Sequence, residues 1–230
     1  EEIHVAAREQ GGQTVIESYD AQQLFEAGTS ALRERSCPQA LAMYGRLLRE
    51  FSASRFAAPA RYNAALCHEG ARNWAQAIRL YREMIEQFPD SPDGLDALVR
   101  RGGAQEHGPE WEAAAATFAT GLGRQPLGAD ERIEAMARRG TALCEMGRLD
   151  PAEALLRETV AYYRSAGAEQ VESDFFVAQA QYYVGEVVRA RARAIGFTLE
   201  PDQMWRALEQ RAHLLLLAQA EYILTIRVTN

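Results

Sequence analysis

The chain contains no lysine. All 25 of its basic residues are arginines, against 32 aspartates and glutamates. This absence excludes activities that need a lysine of this chain, such as a Schiff base, a lysine general base or the lysine of a phosphate-binding loop. The net charge of −7 also argues against nucleic-acid binding, because proteins that bind nucleic acid normally present a basic surface.

Long apolar runs are missing as well. The 230 residues are 47% hydrophobic, yet no window of 18 or more residues is uninterruptedly apolar, so the sequence predicts no membrane-spanning helix. The chain does not begin with methionine. We therefore expect a processed or trimmed protein from which any signal peptide has already been removed.

Residues suited to chemistry are few. Cys37, Cys67 and Cys144 have neither metal-ligand nor redox spacing, and their odd number argues against a disulfide framework. We expect Cys67 and Cys144 to be buried as small apolar residues. A nucleophile pair of Cys67 and His68 would point about 100° apart on a helix. We predict no catalytic site, no metal site and no cofactor.

What the chain does contain is a repeat. In four stretches an alanine precedes an aromatic residue or leucine by four positions, and a small residue lies twelve positions before that alanine. The alanines are 37, 37 and 38 residues apart. The sets are Gly28/Ala40/Tyr44, Ala65/Ala77/Tyr81, Gly102/Ala114/Phe118 and Gly140/Ala152/Leu156. Such a period marks units that must stack, because one unit cannot bury its apolar face alone.

Each unit has the pattern of two helices. Turn or cap signals separate the small residue from the alanine, as in Ser36-Cys37-Pro38 and His107-Gly108-Pro109. Apolar residues then recur at helical spacing, as in Trp74, Ala77, Ile78 and Tyr81. Phe88-Pro89-Asp90 closes one unit, because the residue before a proline is disfavoured in a helix.

These residues resemble the tetratricopeptide repeat (TPR) family, whose 34-residue unit has a small residue at place 8, alanine at 20, an aromatic at 24 and proline at 32. Units 58–91 and 95–128 match best; unit 21–54 has Ser52 for the proline, and unit 133–166 has Leu156 and Arg164 at the last two places. The resemblance implies an all-α fold, a TPR-type α-solenoid of antiparallel helix pairs in a right-handed superhelix. We expect about four repeats plus a degenerate fifth helix pair.

The two ends depart from the repeat. Residues 1–18 lack helical periodicity and are predicted to form an N-terminal arm, poorly ordered, before the four repeats of 19–166. Residues 167–230 are expected to form the fifth pair, with Gly185 as its small residue. Its last helix is apolar around much of its circumference from Leu214 to Ile226. Three interpretations stay open: the natural chain continues beyond Asn230, this helix pairs with another molecule, as in a homodimer, or it packs on the fifth unit.

The resemblance implies that the first helices line a concave groove that holds a partner segment. The family's ligand-contacting places give a groove that is acidic, with an aromatic end. The candidate partner-binding residues are Phe25, Thr29, Arg33, Tyr62, Asn63, Glu69, Asp96, Arg100, Glu106, Glu134 and Glu145.

One subset of the family grips the C-terminal carboxylates of chaperone tails with lysine, asparagine and arginine. Only Asn63 and Arg100 stand at matching places here, while Phe25, Thr29 and Asp96 replace the others. We therefore reject that clamp and expect a neutral or basic protein segment, extended or helical.

Two function classes remain open, a non-catalytic scaffold or assembly factor and a peptide-sensing signalling module separated from its effector domain. We favour the scaffold, because the long two-helix units and the Pro-Asp-Ser-Pro of residues 89–92 are similar to bacterial cell-envelope TPR proteins, including outer-membrane assembly and motility lipoproteins. That resemblance implies a periplasmic or outer-membrane-associated protein. Three apparently unpaired cysteines keep the cytoplasm as the alternative.

Overall fold

The computed structural model of the protein describes residues 4–10, 13–88, 91, 93–108, 110–123, 127–166, 171, 173–198 and 200–228. Within these ranges a two-stranded hairpin is followed by ten α-helices. Their bounds are α1 Ala21–Arg33, α2 Cys37–Glu50, α3 Ala57–Gly70, α4 Trp74–Gln87, α5 Gly94–Glu106, α6 Trp111–Leu122, α7 Ala129–Glu145, α8 Leu149–Ala166, α9 Phe175–Ala194 and α10 Pro201–Val228. No helix in the described ranges is long and apolar enough to cross a membrane.

The hairpin occupies residues for which the sequence predicts an arm. Strand β1 (His4–Gln10) pairs in antiparallel register with β2 (Gln13–Tyr19), so that His4 lies opposite Tyr19 and Gln10 opposite Gln13. Helical periodicity is a signal for helices only, so its absence could not predict a β-hairpin here. Residues of high strand propensity, among them Val15 and Ile16, flank a Gly-Gly pair in the sequence, and glycine is the residue that short hairpin loops favour.

The chain divides into two compact units, residues 1–104 and 105–230, and the division falls within α5. The first unit contains the hairpin and the helix pairs α1–α2 and α3–α4. The second contains α6 and the pairs α7–α8 and α9–α10. In both, consecutive helices pack against each other, which is the architecture of stacked antiparallel helix pairs that the repeat predicts.

The repeated alanine and aromatic positions form the cores of both units. In the first unit Ala40, Tyr44, Ala77 and Tyr81 are all 0% exposed. Their counterparts in the second unit, Ala114, Phe118, Ala152 and Leu156, are also 0% exposed. The positions that define the period are therefore fully buried in both units.

The predicted fifth pair is present as α9 and α10. Gly185 lies in α9, and a Cβ atom added to it would be 2.5 Å from Cε1 of Tyr222 in α10. Tyr222 therefore takes the role that an aromatic at place 24 has in the other units. The sequence analysis missed the role of Tyr222, because the connection before α10 and the greater length of α10 change its spacing from Gly185.

The expectation that the cysteines are unpaired is wrong for two of them. Cys37, at the start of α2, forms a disulfide with Cys67 of α3, and their Cα atoms are 5.4 Å apart. Spacing within one repeat could not reveal the bond, because the bond joins neighbouring repeats, whose helices α2 and α3 pack side by side. Cys144 is a free, partly buried thiol.

Candidate partner-binding site

An aromatic surface lies at one end of the first unit. The ring of Phe25, in α1, stacks on that of Phe56, just before α3, with the centroids 5.3 Å apart. It also packs at 6.1 Å against the ring of Tyr44. Because Phe25 is only partly buried, this surface offers apolar area to a partner.

A cavity of about 480 Å³ opens beside this surface. The start of α1, the end of α2 and the segment before α3 form its walls, and Phe56 belongs to both the cavity and the aromatic surface. The lining residues are Asp20, Ala21, Gln22, Glu50, Phe51, Ser52, Ala53, Ser54, Arg55 and Phe56. Its volume lies within the ~300–1,000 Å³ of ligand-binding pockets, and its lining is mixed apolar and polar.

The hydroxyl of Tyr44 connects two of the predicted site residues. It lies 3.2 Å from Oγ1 of Thr29 and accepts a hydrogen bond of 3.2 Å from Nδ2 of Asn63. Since the ring of Tyr44 is fully buried, its hydroxyl fixes both polar side chains on the face formed by α1 and α3.

A second polar cluster joins α3, α4 and the first part of α5. The Tyr62 hydroxyl donates to Asp96, and Nε of Arg100 donates to both, at 3.0 Å each. Nη1 of Arg100 also donates to Glu69 at 3.1 Å. The other oxygen of Glu69 accepts from the hydroxyl of buried Tyr81 at 2.7 Å.

Both tyrosines of this cluster remain protonated donors at neutral pH. Burial, and then the hydrogen bond to Asp96, raise the pKa of Tyr62 to about 12. Burial and the hydrogen bond to Glu69 likewise raise the pKa of Tyr81. Burial lowers the pKa of Arg100, but the neighbouring Asp96, Tyr62 and Glu69 outweigh that effect and raise it. The two hydroxyls and the Arg100 guanidinium therefore keep their protons and act as donors at neutral pH.

The second unit contains a related cluster. Nη1 of Arg138 donates to Glu106 at 2.7 Å, and its Nε donates to Glu134 at 2.9 Å. Burial raises the pKa of Glu106 to about 7, even though Arg138 lowers it; Glu134 raises it further. Arg138 is 38 residues after Arg100, which is 37 after Asn63, so one place of the unit supplies all three donors.

The structure thus places the predicted residues in several groups. Phe25, Thr29 and Asn63 surround Tyr44, while Tyr62, Glu69, Asp96 and Arg100 form the second cluster. Arg33 is exposed at the end of α1. Glu106 and Glu134 belong to the second unit, as does Glu145, which accepts a hydrogen bond from Tyr183 at 3.4 Å.

Four contributors escape the sequence analysis, namely Phe56, the hydroxyls of Tyr44 and Tyr81, and Arg138. The period gave a signal for one of them, because Arg138 falls at the place of Asn63 and Arg100 in the next unit. The structure also qualifies the predicted acidity. In each unit an arginine lies between two carboxylates. The local surplus is about one negative charge in the first cluster and smaller in the second, because the raised pKa of Glu106 leaves that carboxyl partly protonated at neutral pH.

The site residues that the structure describes are hydrogen-bonding and apolar groups. Among the described residues, no group of three or more histidine, cysteine, aspartate or glutamate side chains could hold a metal ion. The first unit presents partly exposed aromatic rings beside polar side chains that hydrogen bonds hold in place. This combination is suited to contact with another polypeptide.

A family model described as tetratricopeptide repeat matches the chain over residues 25–92 and again over 69–129. Residues 25–129 are tetratricopeptide repeats. These repeats are protein–protein interaction modules, and both polar clusters of the first unit lie within the matched range. No curated protein matches the chain.

Solved structures extend the likeness in fold beyond the matched repeats. A structure of MamA aligns with a TM-score of 0.60 at 13% identity, over 84% of this chain and 91% of MamA. MamA 41-end from Desulfovibrio magneticus RS-1 gives 0.58 at 14% identity, over 87% and 96%. YrrB, described as a TPR protein with an unusual peptide-binding site, gives 0.59 at 16% identity, over 91% and 92%. The TPR fold therefore includes the degenerate fifth pair.

Proposed function

We propose that this protein is a non-catalytic scaffold or assembly factor whose first unit binds a segment of a partner protein. The observation that carries the proposal is the stack of Phe25 on Phe56 beside the 480 Å³ cavity. An apolar side chain of the partner would enter the cavity and cover the Phe25 ring. Large aromatic side chains in such places contribute most of the binding free energy in many interfaces. YrrB, which has a peptide-binding site on the same fold, supports a peptide as the ligand.

The partner segment is neutral or basic in this proposal. The charged residues that line the cavity are Asp20, Glu50 and Arg55, and Glu50 is paired with Arg46 at 3.4 Å. The negative surplus comes from the neighbouring cluster, where Glu69 and Asp96 share Arg100. A basic side chain next to the apolar anchor would meet this negative surplus. Such a contribution acts mainly on the association rate and weakens as salt is added.

The proposed location is the periplasm or the periplasmic side of a bacterial outer membrane, within an envelope, motility or secretion assembly. The Cys37–Cys67 disulfide supports an oxidising compartment, because disulfides persist outside the cytosol and are rare within it. An engineered cytosolic form of the chain should carry two reduced cysteines at these positions. A disulfide that forms equally well in the cytosol would remove this support.

Peptide display tests the binding site directly. A random peptide library would be selected on the oxidised 230-residue chain, and the selected peptides titrated against single variants. We expect enrichment of an apolar residue beside a basic one, and an affinity loss of at least tenfold in Phe25→Ala or Phe56→Ala, which corresponds to ~1.4 kcal/mol.

Phe175→Ala is the matched control. Phe175 is 64% exposed and lies in the second unit, so its removal takes away an exposed phenylalanine without touching the proposed site. Selected peptides whose affinity is the same for Phe25→Ala and for the wild type, or which lose affinity only in Phe175→Ala, would place binding elsewhere.

A further inference from the structure

Helix α10 leaves a continuous apolar stripe in solvent. Trp205, Leu216 and Ile226 are 63%, 65% and 62% exposed, an unusual degree for such large side chains. The other exposed apolar members of the stripe are Leu208, Ala212, Leu215 and Ile223, and Gln219 lies among them. From Trp205 to Ile226 the stripe is about 32 Å long at the rise of an α-helix.

This stripe differs from the face that packs on α9. Ala218 is 2% exposed, and Tyr222 meets Gly185 of α9. At 100° per residue the stripe spans an arc of about 100°, centred about 110° away from the position of Ala218. An arc of that width is what a surface helix normally buries. Helix α10 therefore has one apolar face inside the unit and a second one that the unit leaves open.

The positions of the stripe residues are symmetric about one point. The members of the stripe form four pairs with one common midpoint, between Leu215 and Leu216: Trp205 with Ile226, Leu208 with Ile223, Ala212 with Gln219, and Leu215 with Leu216. The first pair, at the two ends, consists of large side chains, and the second pair is aliphatic. In the third pair the small Ala212 lies opposite the polar Gln219. A two-fold axis through that midpoint would bring each residue opposite its pair member in a second copy.

We propose that two copies of this chain associate through α10 in antiparallel orientation, with this register. A two-fold interface is isologous, so residue i of one copy contacts residue j of the other and the reverse contact is made as well. A stripe with symmetric positions meets this condition by itself.

The spacing and the charges agree with this pairing. The stripe repeats every eleven residues, as in Trp205 and Leu216 or Leu215 and Ile226. That period keeps the stripe nearly straight along a helix. Asp202 and Arg227 lie on the same flank of the stripe, near its two ends. The two-fold operation therefore brings Asp202 of each copy to Arg227 of the other, an attraction made twice in the dimer.

Cysteine cross-linking tests the register. In a Cys144→Ser background, one variant carries Ala212→Cys and a second carries Gln219→Cys; both changes spare the large apolar side chains. Antiparallel pairing predicts that oxidation of an equimolar mixture yields a covalent heterodimer, while each variant alone stays uncrosslinked. Covalent homodimers of Ala212→Cys alone would show that the copies are parallel and would overturn the proposal.

Charge insertion tests the stripe itself. Leu216 is on the stripe, and its neighbour Leu217 is 44% exposed but off it. Sedimentation equilibrium should show a dimer for the wild type and for Leu217→Glu, and at least tenfold weaker association for Leu216→Glu, because a buried unpaired carboxylate is costly. Equal weakening by both substitutions, or a wild type that stays monomeric up to the millimolar range, would rule out this interface.

Discussion

A Cβ atom added to Gly28 would lie 2.5 Å from Cε1 of Tyr44, whose ring is completely buried. The same relationship recurs in the fourth repeat, where a Cβ on Gly140 would lie 2.5 Å from Cδ2 of Leu156. The small residue at place 8 and the large one at place 24 are thus in direct contact. This contact explains why the small and the large residue keep the same separation within each of these repeats.

Gly28→Ala should therefore destabilise the first unit. Alanine favours a helix over glycine, but the buried Tyr44 ring would have to move, and overpacking of a filled core costs ~1–3 kcal/mol. Gly45→Ala, in the interior of α2, is the control. Its Cβ would meet only Nη1 of Arg49 at 3.4 Å, so it should gain up to ~1 kcal/mol. Urea unfolding measures both; a stabilised Gly28→Ala protein would contradict the contact.

Reduction of the Cys37–Cys67 bond should lower the free energy of unfolding. The bond closes a loop of 30 residues, and the loss of that constraint on the unfolded chain is worth ~3–4 kcal/mol. Thermal unfolding with and without a reductant would show it. Cys37→Ser should abolish the response to reductant, whereas Cys144→Ser should retain it. An unchanged melting temperature in reductant would contradict the prediction.

The two buried tyrosine hydroxyls should differ in their contribution to stability. Tyr44→Phe removes contacts with Thr29 and Asn63, which are neutral, and should cost ~1 kcal/mol. Tyr81→Phe removes a donor to the carboxylate of Glu69 and should cost ~1.5–3 kcal/mol, because hydrogen bonds to charged groups are stronger. Unfolding free energies of the two variants give the comparison, and a larger loss for Tyr44→Phe would reverse our assignment.

Much of the fold follows from local sequence. The period locates the alanines and aromatics that become the core, because every repeat buries the residues at these same places. Tyr222 and the hairpin do not follow from it. The connection before α10 shifts Tyr222 out of the period, and the pairing of β1 with β2 has no counterpart in any repeat.

The candidate site is less accessible to sequence reasoning. Family places identify Phe25 and Tyr62, since both stand at the same place in the first helix of their repeats, α1 and α3. Phe56 contributes from a segment between helices, which has no defined place in the unit. The Cys37–Cys67 bond joins different repeats, so it depends on how the helices α2 and α3 stack. The contacts between neighbouring repeats are therefore what the pattern of a single repeat cannot predict.

Glu106 should make stability depend on pH between about pH 4.5 and 7. Its folded-state pKa is raised from 4.5 to about 7, chiefly by burial. The folded protein therefore holds the proton more tightly than the unfolded chain. This contribution is fully present below pH 4.5 and is lost as the pH rises through 7, a change on the order of 3 kcal/mol.

Glu106→Gln removes this titration but keeps a similar shape beside Arg138. Relative to the wild type, the variant should become more stable as the pH is raised from 5 to 8, by an amount on the order of 3 kcal/mol. Urea unfolding at several pH values measures the difference. Glu112→Gln is the control, because Glu112 is an exposed carboxylate paired with Arg148. If the profiles of Glu106→Gln and the wild type run parallel over this range, Glu106 is already ionised well below neutral pH and Arg138, rather than burial, governs it.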